Sequence, residues 1–319
     1  MIRSHTLPNE VMQGCDPERL HTFVATKDPY RRWEFQLQAG ETAEQMLDQS
    51  TVYALLDKWT PRDTYRLRRA AVYQFHAAVA DKWQHHRIFL AGDSAHQTPP
   101  FLGQGMNSGM RDVINLAWKL SLVNSGCCAM KLLETYQAER HEHVHDLVSW
   151  AVEMGHLMQH MADVEVAERL GMEPPQMKRT SLKSGYGQGR EQPPIRSGIV
   201  VTEQVSNEGA TGYLLPQPVV RDGQGREMLF DELLGAKFAL VCNGPHTFDE
   251  DTTLVLRALE IQMIDVSKLE IVRGKFPACL KQGEALLLRP DRIVFGHTNA
   301  DVSADTLLTR LADSLKFLG

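Results

Sequence analysis

No apolar run in this 319-residue chain approaches the ~20 residues that a membrane-spanning helix needs, so no membrane partner is expected. The opening, "MIRSHTLPNEV", lacks the apolar core of a secretory signal, and the expected compartment is the cytoplasm. Lysine and arginine are outnumbered by acids, 34 to 40, for a net charge of −6. That balance speaks against nucleic acid or an anionic surface as partner. Cysteine is scarce. The five thiols, at Cys15, Cys127, Cys128, Cys242 and Cys279, form no CxxC and no zinc-type pairing. An odd, scattered set excludes a disulfide scaffold and reads as reduced, mostly buried cysteine. Internal repeats and low-complexity tracts are also missing. What remains, 43% hydrophobic and 23% charged residues, is an ordinary globular composition. The length suits about two domains.

The chain starts with strands: "LHTFVAT" and "RRWEFQLQ" flank a turn signal at Asp28-Pro29. A helical stretch is expected over about 42–59, and "IFLA" at 88–91 reads as a short strand. From Gly105 onward "GMNSGMRDVINLAWKLSLV" predicts a long helix packed on more than one side, ended by Gly126. A second helix, over about 129–155, places Leu132, Leu133, Tyr136, Val144, Leu147, Val148 and Val152 at helical spacing, and Glu139, Arg140, His141 and Glu142 on its polar face. Residues 171–197, rich in Pro, Gly, Lys, Arg and Gln, read as a connection between domains. Beyond them, "KFALVCN" predicts a strand, "DEDTTLVLRALEIQM" a helix and "LEIVRG" a strand. "EALLLRPDRIVFGHT" predicts a hairpin turning at Arg289-Pro290-Asp291, and "ADTLLTRLADSLKFL" a closing helix. The fold class is α/β (α+β), with a first domain over 1–170 and a small α/β layer domain over 198–319.

The stretch "RIFLAGDSAHQTPPFLGQGMNSGMRDVINLAWKL" is the most informative in the chain. Asp93 follows a strand end, where α/β proteins present groups to ligands, and a carboxylate there can accept hydrogen bonds from a polyol. Pro99-Pro100 stiffens the next step and leaves carbonyl oxygens free. Gly103 and Gly105 permit a tight turn and close approach of a flat ligand. The amides of Gln104, Gly105, Met106 and Asn107 then open the long helix, where unpaired N–H groups and the helix dipole favour negative charge. A polyol-binding carboxylate followed by an anion-favouring amide cluster suits a reduced flavin. The alternative is that Asp93 merely caps a turn and the glycines merely permit a loop.

This stretch resembles the second flavin-binding motif of the single-component (class A) FAD-dependent aromatic hydroxylases. The likeness is to the branch that contains 3-(3-hydroxyphenyl)propionate hydroxylase and its phenol- and polyketide-hydroxylating relatives. "YRRWEFQLQAGET", "LLETYQAERHEHV" and "LLRPDRIVFG" extend the resemblance over most of the chain. The resemblance implies that Asp93 binds the ribityl chain of FAD. It implies also that the Pro100 region lies along the isoalloxazine, and that the amides from Gly103 through Gln104, Gly105 and Met106 to Asn107 contact its pyrimidine edge. It further implies NAD(P)H as co-substrate, O2, a phenolic substrate, and a para-hydroxybenzoate-hydroxylase-like FAD/substrate-binding fold followed by a thioredoxin-like domain. Without CxxC that domain has a structural or homo-oligomer-forming role rather than a redox one. The GxGxxG turn with which such enzymes open is missing. "GYGQG" at 185–189 has no strand before it and does not replace it. The chain thus looks like the C-terminal portion of such an enzyme.

Three readings compete. An inactive fragment or pseudoenzyme, serving as an interaction partner, fits the missing turn. His141-Glu142-His143-Val144-His145 matches the zincin HExxH, which would put two ligands and a base on one helix, but with no third ligand evident a solvated polar face is the preferred reading. Cys242, ending a strand, stands near where a redox thiol could sit, but without a partner cysteine it reads as a core thiol. No catalytic residue is assigned. Trp33 and Phe35, on a strand, either line a substrate pocket or belong to the core.

Overall fold

The computed structural model describes residues 7, 9–176, 192–207 and 209–315. Contacts divide the chain into two units, Met1–His76 with Trp150–Ser181, and Ala77–Ser149 with Leu182–Gly319. Most of the 171–197 connection, including the 185–189 glycine cluster, lies outside the described residues.

In the first unit β1 (Met12–Gly14), β2 (His21–Ala25) and β3 (Arg31–Phe35) form an antiparallel sheet in that order. The Asp28-Pro29 turn joins β2 to β3, as its sequence suggests. The single helix expected over 42–59 is two, α1 (Ala43–Leu47) and α2 (Gln49–Leu56). Asp48 breaks them apart: its backbone is non-helical, and its carboxylate accepts from the amides of Ser50 and Thr51. A good N-cap thus restarts the helix. Trp33 packs edge-on against buried Phe23 at 4.8 Å.

The second unit begins with short pairs: β4 (Ala78–Val79), β5 (Gln84–His85), β6 (Ile88–Phe89) and β7 (His96–Gln97). β4 pairs with β7, and β5 with β6. The strand expected at 88–91 is therefore only two residues long. Then comes α3 (Gly105–Asn124), and Gly126 follows it at φ +76°. After one tight turn at Met130–Leu133, α4 (Glu134–Leu170) runs 37 residues. It passes through Gly155, where the sequence suggested an end. A mid-helix glycine costs only about 1 kcal/mol, and buried Ala151, Met158 and Ala162 continue the packed face. Residues of α4 to Ser149 belong to the second unit, the rest to the first.

The remaining elements are β8 (Val219–Arg221), β9 (Glu227–Leu229), α5 (Asp231–Leu234), β10 (Ala239–Cys242), α6 (Glu250–Ala258), β11 (Gln262–Asp265), β12 (Glu270–Arg273), β13 (Ala285–Leu288), β14 (Val294–His297) and α7 (Ala304–Leu315). The main sheet has the order β11-β10-β13-β14, with β10 and β11 parallel and the rest antiparallel. "LEIVRG" is not its second strand. The helix ends at Ala258, Glu260 turns the chain at φ +50°, and β11 becomes the parallel neighbour of β10. β12 pairs instead with β8, beside β9, in a separate sheet. Alternation along the central strands splits the core in two. Leu240, Cys242, Leu287 and Phe295 pack with α7 and Trp118, while Val241, Leu286, Leu288 and Val294 pack with Phe230 and Met228.

The polar face expected on α4 is only partly polar. Glu139 and Arg140 are 1% and 2% exposed. Glu139 Oε1 accepts from the Ile199 amide at 2.8 Å. Its Oε2 accepts from Asn115 Nδ2 at 2.7 Å and Arg289 Nη2 at 2.7 Å, and pairs with Lys119 Nζ at 2.9 Å. Arg289 also donates from Nε to Asp291 Oδ1 at 3.0 Å and from Nη1 to the Ile199 carbonyl at 2.8 Å. Charges of this kind go inside only when each has its partner.

Burial alone would raise the Glu139 carboxyl, but Arg289 and Lys119 bring it down to about 2. Burial, then the Arg289 charge, holds Lys119 at about 8 despite Glu139. A carboxylate depressed on folding stabilises the native state above its unfolded pKa, and that stability is lost as pH falls through the folded one. Acid unfolding followed by near-ultraviolet circular dichroism should thus show a component between pH 4.5 and about 2 that is missing in Glu139→Gln. In urea, Glu139→Ala should lose about 3–5 kcal/mol, because Lys119 is left buried without its carboxylate and Arg289 loses one of its two.

Candidate functional site

Asp93 sits in a one-turn 3-10 segment, Gly92–Ser94, with Gly92 at φ +59°. That turn rests directly on α3. A Cβ added to Gly109 would lie 3.1 Å from Gly92 Cα, so both positions need glycine, one for its left-handed backbone and one for the close crossing.

Asp112, fully buried, locks the arrangement. Its Oδ2 accepts from the Gly92 amide at 3.0 Å and lies 2.7 Å from His96 Nε2, while Oδ1 accepts from Arg140 Nε at 2.8 Å. Burial would raise this carboxyl, but the His96 hydrogen bond and the Arg140 charge hold it below the usual carboxylate range. The proton of the His96–Asp112 bond therefore sits on Nε2. The His96 ring stacks on Trp83 at 5.5 Å, and Tyr136 of α4 donates to the Leu90 carbonyl at 2.8 Å. Ser94 bonds back to Ala91 through its hydroxyl. Every neighbour of Asp93 is tied, yet the Asp93 side chain is exposed and makes no hydrogen bond among the described residues.

The other residues singled out in the sequence follow in order. Pro100 opens a second tight turn, Pro100–Leu102, closed by the Gly103 amide on the Pro100 carbonyl at 2.9 Å, with Gly103 at φ +62°. Gln104 is the N-cap residue of α3, and no side chain caps that end among the described residues. Its own Oε1 accepts from Arg111 at 3.3 Å. Gly105, Met106 and Asn107 form the first helical turn, and Met106 is 72% exposed. Apart from the adjoining residues of the chain and the backbone of α3 itself, nothing among the described residues lies within 4 Å of where a Cβ on Gly103 or Gly105 would stand. The structure thus brings the Asp93 turn against α3 and leaves a free carboxylate, uncapped amides and open space beside the two glycines.

Sequence reasoning missed Asp112, Arg140, Gly109 and the role of His96. A glycine in the first turns of a helix was a signal that could have been used, since it costs helix stability unless something passes close.

The competing sites fare differently. His145 of the HExxH run is exposed, His143 is buried, and Glu142 meets Arg196 at 3.5 Å. Among the described residues no group of three or more His, Cys, Asp or Glu could hold a metal. Burial, then the Asp265 charge, pushes the Cys242 thiol up to about 11, the opposite of what a redox thiolate requires. In the first unit Phe35 lines a cavity of about 410 Å3 with His21, Arg19 and Trp59, whereas Trp33 belongs to the sheet packing. No described helix is long and apolar enough to cross a membrane.

Residues 3–151 match the family model described as an FAD binding domain, and residues 212–314 the HcaD C-terminal domain. Over most of its length the chain is similar to aromatic hydroxylases. It is 34% identical over 307 residues to a 3-(3-hydroxy-phenyl)propionate/3-hydroxycinnamic acid hydroxylase of Klebsiella pneumoniae (strain 342), covering 88% of this chain and 55% of that protein. It is 32% identical over 308 residues to an Escherichia coli protein of the same name, with the same coverage. The chain spans about half the length of the curated relatives it matches. The fold is similar to that of an aklavinone-11 hydroxylase complexed with FAD and aklavinone, with TM-score 0.65 and 23% identity over 94% of this chain and 57% of that one. It is similar also to the flavin-dependent monooxygenase PieE, with TM-score 0.68 and 20% identity over 98% of this chain and 63% of that one.

Asp93→Ala should leave the thermal midpoint nearly unchanged, within about 0.5 kcal/mol, as for an exposed residue without partners. Asp112→Ala should cost about 3–5 kcal/mol by stranding Arg140. A calorimetric comparison of the two variants separates the exposed functional candidate from its support.

Proposed function

We propose that the chain supplies the flavin-ring end of an FAD-dependent monooxygenase that hydroxylates a phenolic substrate with NAD(P)H and O2. The observation that carries this reading is the free Asp93 carboxylate held on a clamped turn beside the uncapped start of α3. These residues fit the cofactor. Asp93 would accept from the hydroxyls of the ribityl chain, and the amides of Gly105, Met106 and Asn107 would face the pyrimidine edge. The open faces of Gly103 and Gly105 and the stiff Pro100 turn would border the ring. FAD, when bound, supplies the redox chemistry, and the protein orients the ring and substrate and keeps water out.

The names of the relatives make 3-(3-hydroxyphenyl)propionate the first phenol to try. The order β11-β10-β13-β14, with a helix between its two parallel strands and another after the hairpin, supports a thioredoxin-like reading of residues 198–319. Its separated free thiols suit a structural or self-associating role and a reducing compartment such as the cytoplasm.

FAD fluorescence titrated with residues 1–319 should change saturably. Asp93→Ala should weaken that binding about 10- to 100-fold, the value of a hydrogen bond to a charged group. A folded protein that leaves FAD unaffected, or an Asp93→Ala variant that binds equally, would refute the proposal. Hydroxylation is then followed as phenol-dependent loss of NAD(P)H with uptake of O2.

A further inference from the structure

A cavity of about 920 Å3 lies within the second unit, between the middle of α3, the first turns of α4 and loops of the C-terminal layers. None of the residues from Asp93 to Asn107 lines it. Its wall is largely apolar, with Ile114, Ile195, Leu214, Leu215, Phe276 and Ile293. Small-molecule sites have this size and character, with few polar groups placed among apolar ones.

Two of those polar groups are unsatisfied. Among the described residues, Arg140 Nη2 and His143 Nδ1 are buried without a hydrogen-bond partner, and both residues line the cavity at 2% and 4% exposure. Arg140 reaches Asp112 through Nε at 2.8 Å, so Nη2 remains a charged donor without an acceptor. Burial, then the Arg140 charge, holds His143 well below its ordinary value, so Arg140 carries the positive charge of this pair. The Asp291 carboxylate in the lining is engaged already, Oδ1 by Arg289 Nε and Oδ2 by Asn115 and Trp118. Lys275, exposed at the rim, adds a further positive charge. A buried charged donor left unmade is among the costliest exceptions in a folded protein.

We propose that this cavity is a second binding site, for a small carboxylic acid with an apolar body. The carboxylate takes the Arg140 Nη2 donor, with His143 Nδ1 beside it, and the body lies against Ile114, Leu214 and Phe276. The site is independent of the flavin reading and is tested without flavin.

The probe is benzoate, with benzamide as its neutral counterpart, titrated into residues 1–319 by calorimetry. Benzoate should bind saturably and benzamide at least ~10-fold more weakly, for want of the charge-assisted hydrogen bond. Leu214→Trp, which fills the cavity from the loop side away from any ion pair, should abolish binding with an unchanged melting profile. Arg140→Lys should weaken benzoate more than benzamide. If that variant does not fold, Leu214→Trp still decides. Equal affinity for the two probes, or undiminished binding in Leu214→Trp, would overturn the proposal. So would no saturation below ~10 mM, which would leave ordered water as the partner of Arg140. Inorganic phosphate competing as well as benzoate would overturn the apolar half of it.

Discussion

Glu139 is the point on which the second unit is assembled. One fully enclosed carboxylate takes hydrogen bonds from α3, from the Ile199 amide and from the Arg289 hairpin. The same pieces meet in the core cluster that holds Trp118, Leu132, Ile199 and Leu287. An apolar residue of like volume could contribute as much stability, but it would accept any neighbour of suitable size. The buried charge accepts only an arrangement that supplies its donors, and so it selects the register of the hairpin against α3 and α4.

The adjacent residue extends the same logic to the candidate site. Arg140 follows Glu139 on α4 and reaches Asp112, which in turn holds Gly92 and His96. Two neighbouring charges on one helix therefore set two things at once. Glu139 fixes the seat of the C-terminal layers, and Arg140 the support beneath the Asp93 turn. The two networks meet at α3, through Asn115 and Asp112, one turn apart on the same helix.

Much of this was legible in the residues. The strands flanking Asp28-Pro29, the long helix from Gly105, the hairpin at Arg289-Pro290-Asp291 and the closing helix all follow from periodicity and turn chemistry. Elements went astray where a local signal has two meanings. Asp48 reads as one more polar helix residue until its carboxylate is seen capping α2. Gln262–Asp265 reads as the tail of a helix until Glu260 turns the chain. The buried charges were the least legible part. Glu139 and Arg140 look like any solvated helix face, and the partner that draws Glu139 inward, Arg289, lies 150 residues away along the chain. At the site, Asp93 and the glycines were visible because backbone geometry demands particular residue types. Asp112 was hidden within an apolar helix pattern, where one carboxylate reads as an interruption.

The crossing of Gly92 over Gly109 has a consequence for selectivity. Because the turn lies directly on the helix, the separation between the Asp93 backbone and the first amides of α3 is fixed, and only one short side chain stands between that backbone and the carboxylate. Such a pair acts as a fixed-length gauge. A molecule that bridges the two must carry its polar groups at a matching spacing. One that matches forfeits little beyond the rotamer freedom of a single short side chain.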